Sequence, residues 1–265
     1  TLRQRFDNDG YLFLKGLLKK EDVISFREWF FTKLKHTGIL KESTEIKNGI
    51  FSNKDYDQIM VQKIIASITK SIRYEGFCGQ TNLTNFIDKF INGVSCLLRR
   101  KILRHTLPQS NNSTAAHYDL IYLRAGTDNI LTAWIPLGDV NIEDGGLMYL
   151  QDSHTQGIKM EKEFSKKNIK LSKKEQINAY NKNMTEGGWI SKDFPGMAEK
   201  FDTKWLVADY EAGDVVLHSP YMIHASTNNK SSKKRIRLST DIRFQNVDDK
   251  IDIRWNNHHH ENDNL

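Results

Sequence analysis

Residues 115–123, AAHYDLIYL, set a histidine and an aspartate two positions apart inside an apolar run. In an extended strand, positions i and i+2 leave the backbone on the same face, so His117 and Asp119 would point together. Burying a carboxylate is costly unless it is paired or binds a metal. A base and an acid side by side therefore suggest the first two ligands of an iron or zinc site, and such a site needs a third. His224 supplies a candidate, far downstream in a second apolar run, YMIHAST. Two histidines and one carboxylate on one side of an iron form a facial triad, which leaves positions open for a co-substrate and O2. His218 has the same strand parity as His224 and is its rival for the third place.

The open positions call for an anion anchor. Arg235 lies on the next predicted strand after His224. A guanidinium beside a metal suits a carboxylate, which its planar fork grips with two hydrogen bonds. Arg237 shares that strand face by alternation, so either arginine could serve. Ser226, two residues past His224, shares the His224 face and could donate to the same carboxylate. A 2-oxoacid with a second carboxylate at its far end would span the gap from iron to arginine.

The elements that would position these groups change along the chain. Residues 10–18 read as a short strand after an Asp-Gly turn. Residues 21–36 read as an amphipathic helix with Val23, Phe26, Phe30 and Leu34 on one stripe. Helices are also expected over 54–74 and 84–95. From residue 97 onward, short strands alternate with turn signals: 132–140, 143–150, 204–220, 221–227 and 234–247. In the last, Ile236, Leu238, Thr240 and Ile242 alternate with Arg235, Arg237, Ser239, Asp241 and Arg243. This spacing suggests a sandwich or barrel. One domain is the simplest organisation: mostly helical support over 1–96, a strand-rich core over 97–247 interrupted by a polar, lysine-rich lid-like insertion at 151–203, and a tail at 248–265. The insertion's lysine run, 159–174, reads as a solvated face; its sharper alternative is contact with a phosphate-bearing substrate such as a coenzyme A thioester.

Bulk properties narrow the partners. The chain has 265 residues, enough to bury a sizeable core. No run approaches the roughly 18 apolar residues that a membrane helix needs, and the polar opening TLRQRFDNDG shows no apolar leader. Two cysteines, Cys78 and Cys96, favour free thiols in a reducing, cytoplasmic setting. A net charge of +6 suits an anionic small-molecule substrate as well as nucleic acid. No nucleic-acid-binding motif stands out, so nucleic acid is disfavoured, and the sequence does not fix an oligomeric state. The histidine run 258–260 reads as a frayed tail.

Five blocks, in order, resemble the phytanoyl-CoA dioxygenase family of iron(II)- and 2-oxoglutarate-dependent oxygenases. They are FDNDGYLFLKGLLKKEDV, HYDLIYLRAGTDNILTAWIPL, EDGGLMYLQDSHTQG, AGDVVLHSPYMIHAST and RIRLSTDIRF. The resemblance implies a mainly β fold with flanking α-helices, the double-stranded β-helix or cupin-like jelly roll. It implies His117, Asp119 and His224 as the catalytic iron ligands. Arg235 would hold the tail of 2-oxoglutarate, assisted by Ser226. Trp134 would line the co-substrate pocket, and Arg104 would help hold 2-oxoglutarate. Asp119 stands where halogenating relatives carry a small residue, which favours hydroxylation or desaturation. The implied reaction consumes 2-oxoglutarate and O2, releases succinate and CO2, and oxidises a C–H bond of a small molecule. Two alternatives keep the fold: a non-catalytic cupin-like binding protein, and a hydroxylase of protein or nucleic acid.

Overall fold

The alternation in the last strand governs the architecture. In the computed structural model, β-strand pairing places the apolar and polar halves of that strand on opposite faces of a large antiparallel sheet. The structure describes residues 1–265 except 112, 174, 178–188 and 259–265. The large sheet contains β1 (Tyr11–Leu14), β2 (Ser95–Leu97), β3 (Ile102–Thr106), β4 (Ile130–Pro136), β7 (Val215–His218) and β9 (Arg237–Asn246). Its order is β1-β7-β4-β9-β2, with β3 also paired to β9. A smaller antiparallel sheet runs β6 (Trp205–Val207), β5 (Leu147–Leu150), β8 (His224–Ser226). Bridges from His117 to His224 and from Ala116 to Ser191 extend it.

One face of the large sheet carries Leu12, Leu131, Ala133, Leu217, Leu238, Ile242 and Phe244, all buried. They pack on α2 (Lys20–Leu34), the helix after α1 (Leu2–Asp9), which contributes Val23, Phe26, Phe30, Phe31 and Leu34 to the same core. Fully burying each such side chain contributes roughly 1.5–3 kcal/mol. The helix expected over 54–74 is two helices, α3 (Gln58–Ile68) and α4 (Ile72–Cys78), because the Ser71 hydroxyl accepts from Tyr74 N and starts a new one. The helix expected at 84–95 is α5 (Thr81–Ile91), closed by Asn92 in the left-handed region. Cys78 and Cys96 are free. No helix among the described residues is long and apolar enough to cross a membrane.

The opposite face of the large sheet looks toward the small one. Cross-strand register aligns Tyr11 with His218, His218 and Arg243 with Thr132, Asp241 with Trp134 and Ile102, and Arg237 with Thr106. This polar interior layer is where the chemistry sits. Between 151 and 203 lie α7 (His154–Lys167) and α8 (Phe194–Lys200). Met160, Phe164, Met197 and Phe194 share a core cluster with Met148, Leu150 and Ala225 of the small sheet and with the adjacent Ile223. Gly157 lets α7 approach closely: a Cβ there would lie 2.0 Å from the Tyr221 carbonyl oxygen. After β9 the chain folds back, with Asp252 and Trp255 buried. Of the histidine run, 259 and 260 lie outside the described residues.

Candidate metal centre

His117 and Asp119 converge, but not by strand alternation. His117 is extended, with its backbone exchanging hydrogen bonds with His224: N to O at 3.1 Å and O to N at 2.9 Å. Asp119 has left the strand. Its backbone is helical (φ −66°, ψ −31°) and it opens the short helix α6 (Leu120–Leu123). The turn swings its carboxylate beneath both imidazoles. Asp119 Oδ1 lies 3.7 Å from His117 Nε2 and 3.6 Å from His224 Nε2. The three ligand atoms lie within 4.8 Å of one another, and all three residues are buried.

The hydrogen bonds around this trio define its chemistry. His117 Nδ1 faces the Ala115 carbonyl at 2.8 Å and His224 Nδ1 faces the Met222 carbonyl at 2.9 Å. A carbonyl only accepts, so each Nδ1 carries the proton and each Nε2 presents a lone pair. Asp119 Oδ1 is buried with no hydrogen-bond partner. Three acceptors therefore face one another with no donor between them, an arrangement that a divalent cation satisfies and water satisfies poorly. Burial holds both histidines below the usual imidazole pKa, and for His224 the neighbouring His117 and His218 add to the effect. Burial alone would raise the Asp119 pKa. The charge of Arg243, aided by His218 and His224, outweighs burial and holds it well below the usual carboxylate range. All three groups are thus ready as ligands at neutral pH.

The second carboxylate oxygen is tied to the other sheet. Asp119 Oδ2 accepts from Thr132 Oγ1 of β4 and from Arg243 Nη2 of β9 at 3.0 Å. His218 Nε2 is 3.4 Å from Oδ2, while its Nδ1 contacts the Tyr149 hydroxyl at 2.7 Å. The rival histidine thus lies behind the carboxylate, on the side away from the open oxygen.

The two candidate arginines part company. Arg235 was expected on a strand facing the metal. Lys234 instead takes φ 56°, in the left-handed region, and β9 begins only at Arg237. The Arg235 guanidinium pairs with the buried Asp144 and borders a separate cavity with Arg27 and Gly138. Arg237 points into the interior and is 4% exposed. Its Nη2 donates to Thr106 Oγ1 at 2.7 Å, its Nη1 to Ser239 Oγ at 3.3 Å, and its Nε has no hydrogen-bond partner. Burial, with the nearby charge of Arg104, lowers it to about 10, so it stays charged at neutral pH.

Two cavities meet at Ile102, Arg104 and Thr114. One, of about 460 Å³, is bordered by His117 and Asp119. The other runs along the edge of β3 and is bordered by Thr106 and Arg237. Arg104 lines both, with its Nε on Asp241 Oδ2 at 2.8 Å. Ser226 Oγ accepts from Thr114 N at 2.8 Å at this junction. Trp134 was expected to line a pocket. It borders neither cavity and instead fills the interior against Tyr210, with ring centroids 4.7 Å apart. Arg243, Thr132 and Thr106 were not foreseen. The signal for Arg243 was present in the sequence, as charged residues on one parity of an otherwise apolar strand.

The phytanoyl-CoA dioxygenase (PhyH) family model matches residues 6–237. A 1-deoxypentalenic acid 11-beta-hydroxylase from Streptomyces arenae is 24% identical over 92% of this chain and 80% of its own length. The human peroxisomal phytanoyl-CoA dioxygenase is 23% identical over 90% and 67%. Among solved structures, EctD from S. alaskensis aligns over 95% of this chain and 78% of its own, with a TM-score of 0.60 and 14% identity. The epimerase SnoN, solved with Fe3+, alpha ketoglutarate and nogalamycin RO, aligns over 93% and 82%, with a TM-score of 0.59 and 16% identity. With the family model spanning most of the chain and these folds aligned along it, the chain belongs to the phytanoyl-CoA dioxygenase family.

Proposed function

We propose that this protein is an iron(II)- and 2-oxoglutarate-dependent oxygenase that hydroxylates or desaturates a C–H bond of a small molecule. The observation that carries this reading is the trio of acceptors that face one another, His117 Nε2, His224 Nε2 and Asp119 Oδ1, the last buried with no hydrogen-bond partner. These three would hold the metal. Iron with 2-oxoglutarate supplies the oxidation of an unactivated C–H bond, with release of succinate and CO2. The names of the family's relatives, a hydroxylase and a dioxygenase, support the same class of reaction.

The chain's own residues prepare that chemistry. The Ala115 and Met222 carbonyls fix both imidazole tautomers. Arg243 and Thr132 keep Asp119 ionised and leave one oxygen toward the metal. Arg237, with Thr106 and Ser239, is the buried cation suited to the far carboxylate of the co-substrate, the role the family resemblance implied for Arg235. Ser226 and Arg104 stand at the passage between that arginine and the metal.

The test is anaerobic titration of the protein with Fe(II) and 2-oxoglutarate. The expected result is the weak visible charge-transfer band of metal-chelated 2-oxoglutarate in the wild type and its loss in His117→Ala and His224→Ala. A wild type that binds Fe(II) yet shows no band would remove the oxygenase reading. A screen for substrate-stimulated succinate release then identifies the substrate.

A further inference from the structure

Arg243 holds the second oxygen of Asp119, yet its own guanidinium is loosely bonded. Its Nη2 donates to Asp119 Oδ2 at 3.0 Å, while Nε and Nη1 are buried with no hydrogen-bond partner. One hydrogen bond leaves a planar group free to tilt about it, so packing must fix the plane. The packing surface is an indole. The Arg243 guanidinium carbon stands 4.7 Å from the Trp255 ring centroid, and Trp255 is 3% exposed. A cation over an indole is attracted by the negative face of the ring, most strongly where water is excluded.

The same tryptophan reaches the turn that carries Asp119. Its Nε1 donates to the Tyr122 carbonyl, inside α6, at 2.9 Å. Carbonyls in the last turn of a helix have no partner within it, so outside donors cap them. Arg254 Nη2 donates to the same oxygen at 3.1 Å. Just past α6, Ala125 N donates to Asp252 Oδ2 at 3.2 Å and Thr127 N to Lys250 O at 2.8 Å. Gly126 lets the two segments meet: a Cβ there would lie 2.6 Å from Asp252 N. The Trp255 backbone is fixed in turn, its N donating to Asp252 O and its O accepting from Arg100 N, both at 2.9 Å. Residues 250–255 thus form a strap across the end of α6. They lie beyond residue 237, where the family match ends.

We propose that Trp255 is a positioning residue for the metal centre, its ring face holding the Arg243 guanidinium against Asp119 and its Nε1 holding the turn from which Asp119 projects. Two supports of one ligand therefore pass through a single tail residue. Oδ2 is the Asp119 oxygen tied to Arg243, and Oδ1 is the one left near both His117 Nε2 and His224 Nε2. Without the indole, the guanidinium can turn and α6 can shift, and Oδ1 loses its place beside the imidazoles. Trp255 acts on the site through Arg243 and Tyr122. The inference rests on the metal-binding half of the proposed function and adds a residue to it.

The experiment is Co(II) titration of the full chain, read from the visible d–d bands, with melting temperatures taken on the metal-free protein. The variants are Trp255→Leu, Trp255→Phe, Arg243→Gln and the Trp255→Leu, Arg243→Gln double. Trp255→Leu is expected to weaken Co(II) binding by about tenfold and to change the band shape. Trp255→Phe keeps a ring face for Arg243, loses the donor to Tyr122, and should fall between wild type and Trp255→Leu. In the Arg243→Gln background the leucine substitution should cost about threefold at most, because members of one network are not additive. Leu83→Ala, in the core on the other face of the large sheet, is the control for lost stability. It should lower the melting temperature and leave Co(II) affinity and band shape unchanged. The proposal is overturned if Trp255→Leu binds Co(II) as wild type does, if its loss is the same with and without Arg243, or if Leu83→Ala weakens binding as much. Should the leucine protein not fold, Trp255→Phe decides: a loss of about twofold to fivefold supports the proposal and no loss overturns it. A wild type that binds no Co(II) removes the metal centre and this proposal together. A wild type that binds it, with indifferent variants, removes this proposal alone.

Discussion

The guanidinium of Arg243 and the carboxylate of Asp119 meet inside the protein at 3.0 Å, both side chains nearly inaccessible to water. The bond joins the last strand of the large sheet to the turn that carries a metal-facing oxygen. It fixes which oxygen of Asp119 remains available. Groups that orient a metal ligand from behind typically matter by about 10–100-fold in metal affinity. Arg243→Gln should therefore weaken Co(II) or Fe(II) binding by that factor, measured by metal titration monitored in the visible range. Unchanged affinity would show that Asp119 needs no such support.

Arg237 and Arg235 should respond differently to the same substitution. Removing one partner of a buried charge pair costs about 2–5 kcal/mol, and each 1.4 kcal/mol is tenfold. Arg237→Gln is expected to raise the KM for 2-oxoglutarate by at least about tenfold. Arg235→Gln leaves the buried Asp144 without its ion-pair partner and should lower the melting temperature with little change in KM. Steady-state kinetics and thermal melts on the two variants decide this, and the reverse pattern would restore Arg235 as the anchor.

Acid should destabilise the metal-free protein in two stages. Burial holds His117 and His224 below the ordinary imidazole value, so the unfolded chain takes up protons that the folded chain refuses. Stability then falls as pH drops below about 6.5, by up to about 1.4 kcal/mol per pH unit for each histidine. Asp119, depressed by Arg243 despite its burial, contributes stability that is present above its unfolded value near 3.9 and lost below it. Melting temperatures from pH 7.5 to 5 should fall more steeply for wild type than for His224→Gln. Parallel curves would show that His224 does not drive the loss.

Gly157→Ala tests how α7 seats the loop before His224. The added Cβ would meet the Tyr221 carbonyl at 2.0 Å, so helix and loop must separate. Overpacking of this kind costs about 1–3 kcal/mol. A melting temperature lower by several degrees is expected, together with weaker metal binding, because Met222 supplies the carbonyl that orients His224. A variant that melts and binds metal like wild type would show that the loop is set by other contacts.

The sequence was most legible where side chains of one kind recur at a strand's period. β9 is legible because Leu238, Ile242 and Phe244 recur at the strand's period and are buried in the core with the helices, and the same period placed Ser226 with His224. It was least legible where one residue's backbone breaks the period. Asp119 comes beside His117 and His224 through a helical turn, not through the strand alternation that singled it out. Lys234, left-handed without being glycine, interrupts the alternation between the loop and β9. Counting by twos could not separate Arg235 from Arg237 across that break. Arg243 was visible as a charge on the interior parity, but its partner lies on a distant segment that only the tertiary fold brings near.

The position of β9 has a consequence for how this molecule is made. It lies between β4 on one side and β2 and β3 on the other, yet all three precede it in the chain. A ribosome therefore delivers the sheet's central plank after the planks around it. Until residues 237–246 emerge, β4 has an unfilled edge, and Asp119 has no guanidinium to offset its charge. Nascent chains paused just short of that point would expose a strand border able to recruit a neighbouring polypeptide. Synthesis speed across residues 237–246, and any holdase present at that point, should affect the yield of intact protein.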